Sequence, residues 1–115
     1  MFPEMLVYFF YLVVGHALMD FALQGDAMSR EKNRHSTTPL QKEVPWFYWL
    51  SAHSLIHGGA VAYILHSPLY GMLETGIHWF IDFAKCEKWT NIHQDQFLHV
   101  LCKLIWVILY FQGIG

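Results

Sequence analysis

Charged side chains are scarce in this 115-residue chain, at 14% of the residues, while hydrophobic residues make up 55%. Soluble domains carry roughly 25% charged residues, so this composition is typical of a protein that lies largely in lipid. Cysteine is also scarce, and Cys86 and Cys102 are too few for a disulfide framework. The net charge of −2 argues against a nucleic-acid partner. The length allows one domain, and we expect a single integral-membrane domain over residues 1–115.

The chain does contain a recurring polar pair. Four times a histidine or aspartate is followed four residues later by another, each time near or within an apolar stretch. Residues four apart lie above one another on one helix face, so each stretch presents one polar stripe. Ionisable groups in membrane helices are costly and usually serve a function. The pairs are His16/Asp20, His53/His57, His78/Asp82 and Asp95/His99.

Four apolar stretches have lengths suited to a hydrocarbon core about 30 Å thick. They cover residues about 2–23, 46–66, 69–84 and 96–111, and backbone groups in lipid require helical hydrogen bonds. A polar loop at about 24–45 separates the first two stretches. The predicted fold class is therefore all-α, a four-helix transmembrane bundle.

The basic residues predict the orientation of this bundle. Apart from Lys103, they fall in the first loop and in the connection between the third and fourth helices. Cytoplasmic loops carry the positive excess, so both termini are predicted on the non-cytoplasmic side. Every polar pair then lies in the cytoplasmic half of its helix. The loop residues concerned are Arg30, Lys32, Arg34, Lys42, Lys85 and Lys88.

Counted from the cytoplasmic side, the polar stripes form layers. A third and deepest layer pairs Glu74 with Lys103, which we expect to form a buried ion pair between the third and fourth helices. Gln24 extends the first stripe outward. The outer layer contains Asp20, His53, Asp82 and Asp95, and the next contains His16, His57, His78 and His99.

These eight side chains are the predicted ligands of one or two divalent metal ions. Two ions are favoured, because eight groups exceed the four that a zinc ion needs. Zinc is the first expectation, with manganese or iron as alternatives, since imidazole suits zinc and iron and carboxylates extend the choice to manganese. A haem held by two histidines would leave the aspartates unexplained. A metal-free polar network would leave several carboxylates desolvated without compensation.

Four motifs occur in a fixed order: His16-x-x-x-Asp20-Phe21-x-Leu23-Gln24, His53-x-x-x-His57, His78-x-x-x-Asp82-x-x-Lys85 and Asp95-Gln96-x-x-His99. In these motifs the chain resembles a family of small bacterial and phage membrane proteins, catalogued as a domain of unknown function, 3307 type. The resemblance covers nearly the whole chain. It implies a multi-pass protein of the bacterial inner (cytoplasmic) membrane and adds Lys85 to the eight signature positions. It supplies no activity.

More distantly, the chain is similar to membrane-embedded metal-dependent hydrolases with intramembrane His/Asp motifs. We therefore expect a hydrolase whose site opens to the cytoplasmic interface and takes a lipid head group, a phosphorylated or another amphiphilic substrate. Asp82 or Asp95 is the expected general base. Lys32 and Lys85 flank the opening and are placed to hold a phosphate or carboxylate.

Three other functions stay open at this stage. A di-iron oxygenase would act on acyl chains, although the adjacent His-His pairs of membrane desaturases are absent here. A divalent-metal or proton transporter would use the same side chains as a pathway. A small phage membrane effector would use the metal only for stability. The sequence leaves open a homo-oligomer, and it leaves open whether loop 24–45 is a lid or a docking surface.

Overall fold

The computed structural model describes residues 2–114, and its ordered backbone is helical, with no strand among those residues. Four helices are long and lie at the predicted places, and two short ones occupy the first loop. A π-helical turn, Leu18–Ala22, continues the first helix. The helices are α1 Phe2–Ala17, α2 Asp26–Glu31, α3 Leu40–Glu43, α4 Trp46–Leu65, α5 Pro68–Cys86 and α6 Ile92–Phe111.

Local capping residues fix where the long helices begin. Ser67 caps α5 by accepting a hydrogen bond from the Tyr70 N–H, and Pro68 occupies the first turn, where a missing N–H costs little. Asn91 and Gln94 form a reciprocal capping box at the start of α6. The predicted start near residue 96 was therefore too late, because the box stabilises a polar first turn that precedes the apolar stretch.

The four long helices pack in the cyclic order α1, α4, α5, α6, so each contacts two neighbours. The helices α4 and α5 approach most closely at Gly58 and Gly71. A Cβ atom added to Gly58 would overlap the Thr75 hydroxyl and lie 2.5 Å from the Gly71 carbonyl oxygen. Small residues at this crossing therefore set the separation of the two helices that carry His53, His57, His78 and Asp82.

The burial pattern is the reverse of that in a water-soluble protein. Fourteen polar or charged residues are buried, against seven hydrophobic ones. Large apolar side chains face outward instead, including Phe10 at 61% exposure, Tyr63 at 80% and Phe80 at 68%. In soluble proteins Lys, Glu and Asp are almost never fully buried unless they are paired. The outer surface is therefore suited to an apolar surrounding, and the centre must satisfy its own polar groups.

One helical segment, Phe2–Ala22, is long and apolar enough to cross a membrane by length and composition, with a mean hydropathy of 1.7. Among residues 2–114, no other helix is both long enough and apolar enough to cross a membrane by this test. The predicted all-helical fold is confirmed, whereas four membrane spans are not. The reason is physical: the polar side chains that line the centre lower the mean hydropathy of α4, α5 and α6.

The loop between α1 and α4 is held by polar contacts of its own. Glu31 accepts hydrogen bonds from the Thr38 hydroxyl and from Arg30, and these contacts hold the pKa of Glu31 below its ordinary value. Arg34 pairs with Glu87 just beyond α5, and the hydrogen bonds from its guanidinium lower the pKa of Glu87. The loop is thereby tethered to the connection between α5 and α6.

Candidate metal centre

The outer layer of the polar centre is organised around His53 on α4. Its Nε2 atom lies 3.2 Å from Asp20 Oδ1 and 3.1 Å from Asp82 Oδ2, so the imidazole links the π-helical turn to α5. On the other side of Asp82, His99 Nε2 lies 3.0 Å from Oδ1 and 3.4 Å from Asp95 Oδ1. The outer layer predicted from sequence thus comes together around two histidines.

The four imidazoles of the next layer meet at the bundle axis. His78 stacks on His57 with ring centroids 3.7 Å apart and on His99 with centroids 4.2 Å apart. His16 lies 5.1 Å from His99 and 5.4 Å from His57 by the same measure. All four rings are buried. Each long helix therefore contributes one imidazole to a single cluster, as the i,i+4 stripes predict.

Glu74 organises the deepest layer. Its Oε2 atom accepts a hydrogen bond from the Lys103 ammonium at 2.8 Å, which confirms the predicted ion pair between α5 and α6. Its Oε1 atom accepts from Trp106 Nε1 at 2.9 Å. His78 Nδ1 lies 3.1 Å from Oε2 and donates to it, so the Nε2 lone pair of His78 faces the centre.

Two side chains join the site in a way that the sequence did not indicate. The amide nitrogen of Gln96 donates to Asp20 Oδ2 at 2.8 Å and to Asp95 Oδ2 at 3.1 Å, and its oxygen accepts from His16 Nε2 at 2.8 Å. Lys32 is 5% exposed and donates to Asp82 Oδ2 at 2.9 Å. Gln96 follows Asp95 in its motif, which was the only signal for it. Lys32 had been placed beside the opening, and it lies within the site.

Lys85 is not brought into this cluster. Its side chain is half-buried near the end of α5, and among residues 2–114 it makes no recorded hydrogen bond or ion pair to the eight predicted ligands. Gln24 extends the first stripe as expected, since its amide donates to the Asp20 backbone carbonyl and its oxygen accepts from Lys32. Gln24 and Lys32 therefore lie on the loop side of the centre.

Apolar side chains close the opposite end. Each polar stripe continues by one helical turn into a buried residue of the hydrophobic core, namely Leu12 after His16, Val61 after His57, Tyr70 after Glu74 and Val107 after Lys103. Leu65 and Trp106 complete this core. Among the described residues, the core contains no ionisable acid, lysine or histidine that would continue the stripes. The buried polar side chains are therefore bounded by apolar residues at this end of the bundle.

Several polar atoms of the centre make no close hydrogen bond among the described residues, and three of them have only an ion-pair contact at 3.4 or 3.5 Å. An unpaired buried polar atom costs about 1–3 kcal/mol, so five in one cluster require an explanation. Imidazole nitrogen and carboxylate oxygen are the ligands that zinc and similar divalent ions take. The unpaired atoms are His16 Nδ1, His57 Nε2, His78 Nε2, His99 Nδ1 and Asp95 Oδ1.

The spacing of these atoms fits a metal ion. One ligand atom from each of Asp20, His53, His57 and His78 lies within 4.8 Å of the others, as do atoms of Asp20, Asp95 and His99. A tetrahedral zinc site with bonds of about 2.0–2.1 Å separates its ligand atoms by roughly 3.3 Å. Asp20 Oδ1 lies 3.2 Å from His53 Nε2 and 3.5 Å from His57 Nε2. The donor set and its geometry therefore suit a divalent cation.

Comparison with known proteins adds a family and no activity. Residues 8–114 match the profile of a family described as "Protein of unknown function (DUF3307)". No curated protein and no solved structure matches the chain. The matched residues include all four polar pairs and all four long helices in whole or in part. The chain therefore belongs to the DUF3307 family.

Proposed function

We propose that this chain is a multi-pass membrane protein in which α1, α4, α5 and α6 all cross the bilayer of a bacterial inner membrane. The outward-facing aromatic and aliphatic side chains of all four helices support this proposal, because a soluble bundle would expose polar residues there. The basic loop residues support a cytoplasmic position for the loop side. Both termini then lie on the far side.

The second part of the proposal is that the buried centre binds a divalent metal, with zinc expected first and manganese or iron as alternatives. The observation that carries it is the meeting of four buried imidazoles, one from each long helix, with unpaired ring nitrogens. Asp20, His53, His57 and His78 form the largest set whose ligand atoms lie within 4.8 Å of one another. His16, Asp82, Asp95 and His99 complete the wall of the site.

The activity that we propose is hydrolysis of a lipid head group, or of another phosphorylated or amphiphilic substrate, at the cytoplasmic interface. A divalent ion bound here would lower the pKa of its water and polarise the scissile group. Asp95 suits the role of general base, because its Oδ1 atom is buried and its contact with His99 Nε2, at 3.4 Å, is longer than the closest contacts that Asp82 makes. Asp82 suits it less, since both of its oxygens are engaged by His53, His99 and Lys32.

In this reaction the water oxygen forms a bond to the phosphorus or acyl carbon of the substrate, and Asp95 accepts the proton that the water loses. The bond to the leaving oxygen breaks, and the proton passes to that oxygen. We assign to Lys85, half-buried near the end of α5, the role of binding an anionic head group, because an ammonium group attracts phosphate. Gln96 holds Asp95 and Asp20 in their orientations.

A transporter fits this geometry less well than an enzyme does. An ion pathway needs polar groups from one face of the membrane to the other. Here the core of Leu12, Val61, Leu65 and Tyr70 lies directly beyond the imidazole layer and the Glu74 layer. Metal flux into proteoliposomes at rates above empty vesicles would favour transport, and iron with a visible charge-transfer band would favour oxygenase chemistry.

The test of this proposal is turnover by the detergent-purified, metal-loaded chain. The panel contains bis(4-nitrophenyl) phosphate, 4-nitrophenyl acyl esters and mixed micelles of phosphatidylglycerol and phosphatidylethanolamine. We expect chelator-sensitive hydrolysis of at least one member, loss of that hydrolysis in Asp95→Asn, and retention in Asp26→Asn, the same change at an exposed site. Hydrolysis by Asp95→Asn at the wild-type rate would contradict the assignment, as would no hydrolysis of any member by the metal-loaded wild type.

A further inference from the structure

The charges buried at the centre of the bundle do not balance. Four carboxylates lie there, each 6% exposed or less, and only two ammonium groups accompany them. Imidazoles bind metals in their neutral form, so they supply no compensating charge in a metal site. Two negative charges are left over, and uncompensated buried carboxylates are costly. The charged groups are Asp20, Glu74, Asp82, Asp95, Lys32 and Lys103.

Two of the four carboxylates already have a cation. Lys103 Nζ lies 2.8 Å from Glu74 Oε2 at the deep end of the site. Lys32 Nζ lies 2.9 Å from Asp82 Oδ2 at the loop end, and it also donates to Gln24 Oε1 at 2.7 Å. Both lysines are buried, so each pair is screened little by water. In each of these two pairs, one ammonium group balances the charge of one carboxylate.

Among the described side chains, Asp20 and Asp95 have no lysine partner, and their closest ion-pair contacts are with imidazoles, His53 at 3.2 Å and His99 at 3.4 Å. The two carboxylates are bridged by the amide nitrogen of Gln96, which donates to both. Asp20 Oδ1 faces His57 Nε2 at 3.5 Å, and that nitrogen is buried with no hydrogen-bond partner. Asp95 Oδ1 also makes no close hydrogen bond, and it lies 3.4 Å from His99 Nε2. The two carboxylates that lack a lysine partner therefore lie beside free ligand atoms, His57 Nε2 at Asp20 and Oδ1 of Asp95 itself.

We infer that the centre takes a single divalent cation on the Asp20 side, and that the Lys32 ammonium serves as the second cation, held on Asp82 in place of a second metal. Asp82 could itself be a metal ligand, because three imidazole nitrogens that could bind the same ion lie within 3.5 Å of its oxygens. They belong to His53, His78 and His99. The inference rests on the proposed metal site and corrects the preference for two ions that the eight ligands suggested.

The experiment counts metal equivalents. Purified protein is stripped with chelator and titrated with zinc, with cobalt as a coloured probe, and bound metal is measured by inductively coupled plasma mass spectrometry after gel filtration. The wild type should saturate at one equivalent per chain. Lys32→Met, which keeps the apolar stem and removes the charge, should saturate at two. Lys32→Arg and the exposed control Lys88→Met should saturate at one.

A double variant tests the inference even if Lys32→Met alone does not fold, because it leaves neither member of the Lys32–Asp82 pair as an unpaired buried charge. Lys32→Met with Asp82→Asn removes both members of the pair, and we expect it to bind one equivalent. Two equivalents in the wild type would overturn the inference, as would one equivalent in a folded Lys32→Met or none in the double variant. Zero equivalents in the wild type would instead refute the proposed metal site itself, so the two failures are distinguishable.

Discussion

Replacement of Glu74 by glutamine is the most informative single change to the deep end of the centre. The glutamine side chain has nearly the same shape, and its oxygen can still accept one hydrogen bond. It cannot neutralise the Lys103 ammonium, which is 1% exposed and 2.8 Å from the native carboxylate. Removal of one partner of a buried ion pair costs about 3–5 kcal/mol, and we expect a loss of that size in the free energy of unfolding.

The effect on the metal follows from the third contact of Glu74. His78 Nδ1 donates to Glu74 Oε2 at 3.1 Å, and this bond keeps the Nε2 lone pair turned toward the proposed metal. When a histidine ligand loses the carboxylate that accepts a hydrogen bond from its other ring nitrogen, metal binding weakens by about 10–100-fold. Glu74→Gln should therefore lower both stability and zinc affinity, whereas Glu43→Gln, the same change at an exposed site on α3, should lower neither.

The assay is titration with sodium dodecyl sulfate in dodecyl maltoside micelles, followed by circular dichroism, together with zinc titration of each folded variant. The double variant Glu74→Gln/Lys103→Met removes both charges, so it should regain much of the lost stability. Its zinc affinity should stay low, because His78 still lacks its carboxylate. A Glu74→Gln protein within 1 kcal/mol of wild type, or a double variant less stable than the single one, would refute this reasoning.

Two further predictions concern the packing of the bundle and the anchoring of its loop. Gly58→Ala should destabilise the fold by about 1–3 kcal/mol, because its Cβ would overlap Thr75, whereas Gly59→Ala meets nothing within 4 Å and should change the unfolding midpoint little. Equal effects of the two substitutions would contradict the close helix crossing. Arg34 lowers the pKa of Glu87, so this contact stabilises the fold above the ordinary carboxyl pKa of about 4.3 and the stabilisation is lost as the pH falls through the lowered value. The stability difference between wild type and Glu87→Gln should therefore shrink on acidification, and a difference that is constant with pH would show that the ion pair contributes nothing.

The sequence predicted the long helices and the inward direction of their polar stripes, because both depend on local periodicity. The i,i+4 spacing of His78/Asp82 and Asp95/His99 determines a helix face without knowledge of the fold. The ion pair of Glu74 with Lys103 was predictable for the same reason, since both lie one turn deeper than the histidines on neighbouring helices. Such predictions need only the helical repeat and the position of each residue along its helix relative to the histidines.

The features that the sequence did not predict depend on long-range packing. The π-helical turn at Leu18–Ala22 has no sequence signal, although it holds Asp20 against His53. Lys32 lies in a polar loop and was interpreted mainly as a topology signal, and only the packing of that loop over the bundle buries it on Asp82. Gln96 bridges groups from two helices, which requires the helix order to be known.

The zinc K-edge X-ray absorption spectrum of the detergent-purified, zinc-loaded chain tests the central claim most directly. We predict a first shell of nitrogen and oxygen atoms at about 2.0–2.1 Å, with outer-shell scattering from several imidazoles that is diminished in His57→Ala. Zinc that washes away on gel filtration, or a first shell of water oxygens alone with no imidazole scattering, would contradict the claim that the buried imidazoles of the bundle bind a divalent cation.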